Sequence, residues 1–113
     1  MTVTIYHNPR CSKSRQTLAL IEEKGISPTI VEYLQTPPSQ KVLKEVVGLL
    51  GVNPKDIVRK KEAKEAGLDI GAMTDAAVIK AMTETPAIIE RPIVVAGNKA
   101  VMGRPPENVL DIL

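Results

Sequence analysis

The chain has 113 residues, with 15 Lys plus Arg against 13 Asp plus Glu and a net charge of +2. That is a single-domain length able to bury a modest core, and too little charge to imply a nucleic-acid or membrane partner, though a local pocket for an anion is compatible with it. Two Tyr, with no Phe and no Trp, leave the core to Ile, Val, Leu, Ala and Met and argue against single-stranded nucleic-acid binding, which depends on aromatic stacking platforms.

In chain order, Thr2 to Tyr6 is a β-branched run that predicts a first strand, ended by the turn pair Asn8-Pro9. A helix is expected from Ser12 to Lys24, carried by Leu18, Leu20 and Ile21 and stopped by Gly25. Thr29 to Leu34 predicts a second strand. A strand, a crossover of helical length and a strand imply a βαβ unit with parallel pairing. Thr36-Pro37-Pro38 is a boundary, after which Ser39 caps a helix whose Val42, Leu43, Val46, Val47 and Leu50 recur at helical spacing up to Gly51. Asn53-Pro54 opens a short helix to about Val58. Lys60 to Ala66 reads as a charged surface turn closed by Gly67, and Thr74-Asp75 starts a helix through Met82 with Pro86 beyond it. Residues 37–86 are thus expected to form a helical block. Ile93 to Ala96, the pair Gly97-Asn98, and Lys99 to Met102 predict a β-hairpin. Gly103-Arg104-Pro105-Pro106 breaks that pattern before a last short helix over Glu107 to Leu113. The fold class is α/β, a sandwich around one mixed four-stranded sheet.

No apolar run reaches the length of a membrane span, and the first residues enter a strand with no basic, apolar and small-residue zones of a secretory signal. With one cysteine and no partner for it, the expected compartment is the reducing cytoplasm. That cysteine, Cys11, falls where the first strand turns into the first helix. A thiol there faces free backbone N–H groups and the positive end of the helix dipole. Arg10, Lys13 and Arg15 add positive charge, and all of this favours the nucleophilic thiolate. The competing reading is a small buried hydrophobe. A bound metal is not expected, because one Cys and one His offer no sensible closed site.

The residues Tyr6-His7-Asn8-Pro9-Arg10-Cys11-Ser12-Lys13-Ser14-Arg15, Val58-Arg59-Lys60, Glu90-Arg91-Pro92-Ile93-Val94-Val95 and Arg104-Pro105 resemble the glutaredoxin-coupled arsenate reductases. The resemblance runs over essentially the whole chain, in the same order, as one domain of thioredoxin/glutaredoxin-like fold with a helical insertion. It implies that Cys11 is the nucleophile that attacks arsenate, that Arg59, Arg91 and Arg104 gather around the oxyanion, and that His7 helps to keep the thiol ionised. It also implies a cis Arg91-Pro92 peptide that brings backbone close to the thiol. Arsenate at neutral pH is a tetrahedral dianion, whose oxygens suit guanidinium forks. Taken singly, each arginine could instead be solvated or salt-bridged, Arg59 above all. The single His7 could be a surface residue. Ser14 stands where a Cys-x-x-Cys motif has its second cysteine; its hydroxyl could bond the thiolate or its own backbone.

With no second cysteine, an intramolecular disulfide is impossible, and any reductive cycle takes its other thiol from outside. The expected course is attack of the Cys11 thiolate on As(V) with loss of water or hydroxide, then attack of an external thiol on the adduct. The resemblance supplies glutathione as that co-substrate and a glutaredoxin as the resolving partner, with no bound cofactor. One alternative is a glutathione-dependent thiol reductase acting on another substrate. Another is a regulator resembling Spx, which binds RNA polymerase; such regulators commonly carry Cys-x-x-Cys where this chain has Cys11-Ser12-Lys13-Ser14. A third is a non-catalytic thioredoxin-fold binding module, whose thiol would titrate near the ordinary value of about 8.5. The chain is expected to be shorter at its C-terminal end than typical members of the family, with every quoted position in place.

Overall fold

Alternation along the first strand sets up the molecule. In the computed structural model, which describes residues 2–113, β1 (Val3–His7) buries Val3, Ile5 and His7 on one face. It pairs in parallel with β2 (Thr29–Glu32), Ile5 opposite Ile30, because the chain between them is spent on the crossover helix α1 (Ser12–Glu23). On its other side β1 pairs antiparallel with β3 (Ile93–Ala96), Val3 opposite Ala96 and Ile5 opposite Val94. A hairpin carries β3 into β4 (Lys99–Met102), giving the order β2-β1-β3-β4. Gly97 has φ +61° at the hairpin tip while Asn98 keeps a negative φ, the sign pattern of a type II′ turn with glycine first. Val3, Ile5, Val94 and Ala96 meet Ile21 of α1 and Val109 near the C-terminus in one buried apolar cluster.

These elements belong to one of two compact units, made of the residues up to Thr36 and of Arg91–Leu113; Pro37–Glu90 forms the other. In the second unit Ser39 accepts the Val42 N–H (3.2 Å) at the start of α2 (Gln40–Leu50), and Gly51 ends it in the left-handed region at φ +69°. A 3-10 turn over Pro54–Ile57 follows, then α3 (Lys60–Glu65) and α4 (Asp75–Glu84), whose cap Thr74 accepts the Ala77 N–H. Leu43, Val46, Val47, Val78, Met82 and Ile88 are its main buried residues.

Several boundaries differ from the sequence expectation. The first strand runs one residue further, to His7. The second stops at Glu32 rather than Leu34, because the Gln35 and Thr36 N–H groups turn back onto the Glu32 carbonyl. The last helix is a 3-10 turn over Pro106–Asp111, tightened by an Asn108 N–H to the Pro105 carbonyl. A lone antiparallel bridge between Val58 and Ile89, and short turns over Ile70–Ala72 and Pro86–Ile88, have no signal in the sequence. Among the described residues no helix is long and apolar enough to cross a membrane.

Candidate active site

The same alternation that sends Val3 and Ile5 into the core delivers His7 to the face covered by α1. Helix α1 buries a stripe of Ser14, Thr17 and Ile21, so its first two buried positions are hydroxyls rather than the leucines that suggested a helix. Both hydroxyls are partnered. Ser14 Oγ lies 2.6 Å from His7 Nδ1 and accepts the Asn8 N–H at 3.1 Å. Asn8 closes the turn from both ends: its Oδ1 accepts the Arg10 N–H, and its carbonyl accepts the Cys11 N–H. The Arg15 guanidinium reaches back to the Pro9 carbonyl at 2.9 Å. The strand-to-helix turn is therefore tied on every side before the cysteine is reached.

Cys11 is the N-cap residue of α1, with extended φ −90° and ψ 121°, and is half-buried. Partial burial pushes its thiol up, but the Ser14 N–H, the Arg91 guanidinium and the Lys13 N–H together outweigh that, and the net shift is downward. The sulfur makes no capping hydrogen bond of standard geometry; the N–H dipoles of the first turn act on it through their proximity. Arg104 Nη1 stands 4.0 Å from the sulfur and donates to the Arg91 carbonyl at 3.2 Å. Asn108 holds the Arg104 carbonyl through its side-chain amide at 3.1 Å. Both Arg–Pro pairs, Arg91-Pro92 and Arg104-Pro105, are cis. The first agrees with what the resemblance implied; the second has no sequence signal.

His7 is 6% exposed, so it is not a surface histidine. Burial pushes its imidazole below the ordinary value, Glu32 pulls it up by less, and Arg15 adds to the downward shift. The lowered proton affinity disfavours the charged ring, and its direct link to the turn is the hydrogen bond with Ser14. Ser14 is fully buried; its hydroxyl oxygen accepts the Asn8 N–H and pairs with His7 Nδ1, while its backbone N–H serves the sulfur.

Arg59 lies in the other unit, at the N-cap of α3. Its Nε stands 3.1 Å from Glu62 and its Nη1 2.8 Å from Glu90, so it is salt-bridged within that unit. In the sequence Asn8 is legible only as a turn former and Gly103 only as the end of the hairpin, while Thr17 and Asn108 carry no mark of the site beyond the placing of Thr17 a helical turn after Ser14.

A mixed four-stranded sheet with its one cysteine at the first strand-to-helix turn, beside the loop that carries Arg91 and Pro92, defines a thioredoxin-like α/β fold with a single thiol. The chain belongs to the ArsC family, whose sequence model matches residues 6–112. It is 49% identical over 116 residues to an arsenate reductase of Haemophilus influenzae, with the whole of both chains covered. To the uncharacterised protein YfgD of Escherichia coli it is 48% identical over 114 residues, 98% of this chain and 96% of that one. The solved arsenate reductase from Vibrio cholerae matches it with a TM-score of 0.94 at 50% identity, covering 100% of this chain and 98% of that one.

Proposed function

We propose that the protein is an arsenate reductase in which the Cys11 thiolate is the nucleophile. The observation that carries the proposal is one half-buried sulfur held at a helix start, with Arg104 Nη1 at 4.0 Å and the Arg91 guanidinium lowering its proton affinity. Guanidinium forks match the oxygens of a tetrahedral oxyanion. Placed beside the attacking sulfur, they also meet the charge that builds on those oxygens as sulfur adds to arsenic. The names of the relatives point the same way.

The thiolate attacks As(V), forming the S–As bond as water or hydroxide leaves. Reduction to As(III) then takes two electrons. The chain has one cysteine, so no internal dithiol supplies them; they come from external thiols, which leave as a disulfide. Glutathione is proposed as the co-substrate and glutaredoxin as the partner that resolves the mixed species; water then replaces the Cys11 sulfur on As(III), so that arsenite leaves and the thiol is restored. His7 is proposed to support the thiolate at one remove, by fixing Ser14 and hence the first turn of α1. The resemblance adds Arg59 as a third oxyanion ligand. Its guanidinium is bracketed by Glu62 and Glu90 within its own unit, so the proposal rests on Arg91 and Arg104. The proposed setting is the cytoplasm, where thiols stay reduced.

The test is a coupled assay of the purified protein with arsenate, glutathione and glutaredoxin. Turnover that vanishes in Cys11→Ser, with the unfolding transition unchanged, supports the assignment. Turnover that survives the substitution removes Cys11 as the nucleophile. Absence of turnover in the parent protein removes arsenate as the substrate.

A further inference from the structure

In the unit that carries Cys11, helix α1 and the two ends of the β3–β4 hairpin meet at one glycine. Gly103 donates its N–H to the Pro92 carbonyl at 2.9 Å, and its own carbonyl accepts the Thr17 hydroxyl at 3.3 Å across 86 positions of chain. Thr17 is 0% exposed and shares the same hydroxyl with the Lys13 carbonyl, 2.8 Å away and one helical turn back toward Cys11. There is no slack between the parts. A Cβ built on Gly103 would sit 2.6 Å from Thr17 Oγ1 and 2.7 Å from Pro92 Cγ. Arg91 immediately precedes Pro92 and Arg104 immediately follows Gly103, so each arginine of the site is one residue from this contact.

We propose that Thr17 is a positioning residue of the Cys11 site, its hydroxyl acting through Gly103 to hold the two Arg–Pro segments against the helix that presents the sulfur. A threonine in a helix commonly bonds the carbonyl four residues back, and that habit needs no distant partner. Full burial and the second acceptor on Gly103 are what the habit leaves unexplained. Without the hydroxyl, the Gly103 carbonyl loses that buried partner and the tie between helix and Arg–Pro segments is cut. The guanidinium groups then settle at a different distance from the sulfur. This inference rests on the Cys11 site but on no particular substrate.

The test is the pH dependence of Cys11 alkylation by iodoacetamide, a neutral probe of the thiolate, in the full-length protein. Thr17→Val keeps the shape and removes the donor. It is expected to slow alkylation at mildly acidic pH by at least about threefold, a shift of roughly half a unit in the titration midpoint at tenfold per unit. Thr17→Ser restores the hydroxyl and is expected to return the profile to within about twofold of the parent. If Thr17→Val folds poorly, Thr17→Ala removes the same hydroxyl with the best helix former and is read in the same way. A parental profile in the variants lacking the hydroxyl, with only a lowered unfolding midpoint, overturns the proposal and leaves Thr17 a stability residue. So does a Thr17→Ser profile displaced as far as that of Thr17→Val. Failure of arsenate turnover in the parent protein would sink the proposed substrate and leave this series as informative as before.

Discussion

Adding one methyl group at Gly103 tests most directly the packing of helix α1 against the ends of the β3–β4 hairpin. Its φ is not in the left-handed region, so alanine is sterically free to adopt the backbone and the whole cost comes from neighbours. Comfortable carbon–carbon contacts lie at about 3.5–4.0 Å. The new Cβ would stand 2.7 Å from Pro92 Cγ and 3.0 Å from Thr17 Cγ2, with Thr17 Oγ1 closer still at 2.6 Å. Gly103 cannot retreat, because its N–H and its carbonyl are bonded in different directions, and each broken bond costs about 1 kcal/mol. Overpacking of this kind destabilises by about 1–3 kcal/mol. For a chain of this size that lowers Tm by roughly 4–15 °C. Gly97→Ala is the control: nothing lies within 4 Å of its Cβ, and the only penalty is its φ of +61°, about 1–2 kcal/mol. The assay is urea unfolding of both variants and of the pair Thr17→Ala with Gly103→Ala. That pair removes two of the three clashing atoms, so its cost should fall below the sum of the singles, a coupling expected of residues in contact. A Gly103→Ala variant within about 0.5 kcal/mol of the parent, or strict additivity in the cycle, would refute the packing argument.

Arg91→Ala should raise the Cys11 titration midpoint and slow alkylation at acidic pH, because it removes both a hydrogen bond and a positive charge from the thiolate. Arg104→Ala should weaken arsenate binding by about 1.5–3 kcal/mol, the range for a hydrogen bond to a charged group, seen as a rise in KM of roughly 10–100-fold; unchanged kinetics in both variants would dismantle the anion site. For His7 the folded state lowers the proton affinity, so the unfolded chain takes up the proton first, near the ordinary value of 6.5. Stability from this group is therefore complete above that pH and is lost as the pH falls from it toward the lower folded value. Urea unfolding across that window should show a shallower fall for His7→Gln, and equal slopes would assign the loss to other groups. Ser39→Ala should cost about 1 kcal/mol through loss of the α2 cap, read as a lower urea midpoint; no change would mean that Ser39 contributes nothing to the helix start.

Much of the scaffold was legible in short windows of chain. Ser39 before α2, Thr74 before α4, Gly51 after α2 and the Gly97-Asn98 turn each act on backbone within four residues, so residue type alone carries the message. Cys11 belongs with them, since being the N-cap of α1 is a local property. The strand ends at His7 and Glu32 were misplaced by a residue or two, because pairing and a returning turn decide them. Local windows also carry no information on which carbonyl, 86 positions away, accepts the Thr17 hydroxyl.

What the amino-acid order settled unaided was the run of elements and the presence of a sulfur at a helix start, both governed by interactions between near neighbours. Only the tertiary structure decided that Ser14 and Thr17 are buried, that His7 is a buried partner of Ser14, that Arg104 comes to the sulfur from 93 positions away, and that Arg59 is paired with two carboxylates. These depend on closing long loops and on which groups lose their water, and no single stretch of chain contains either quantity.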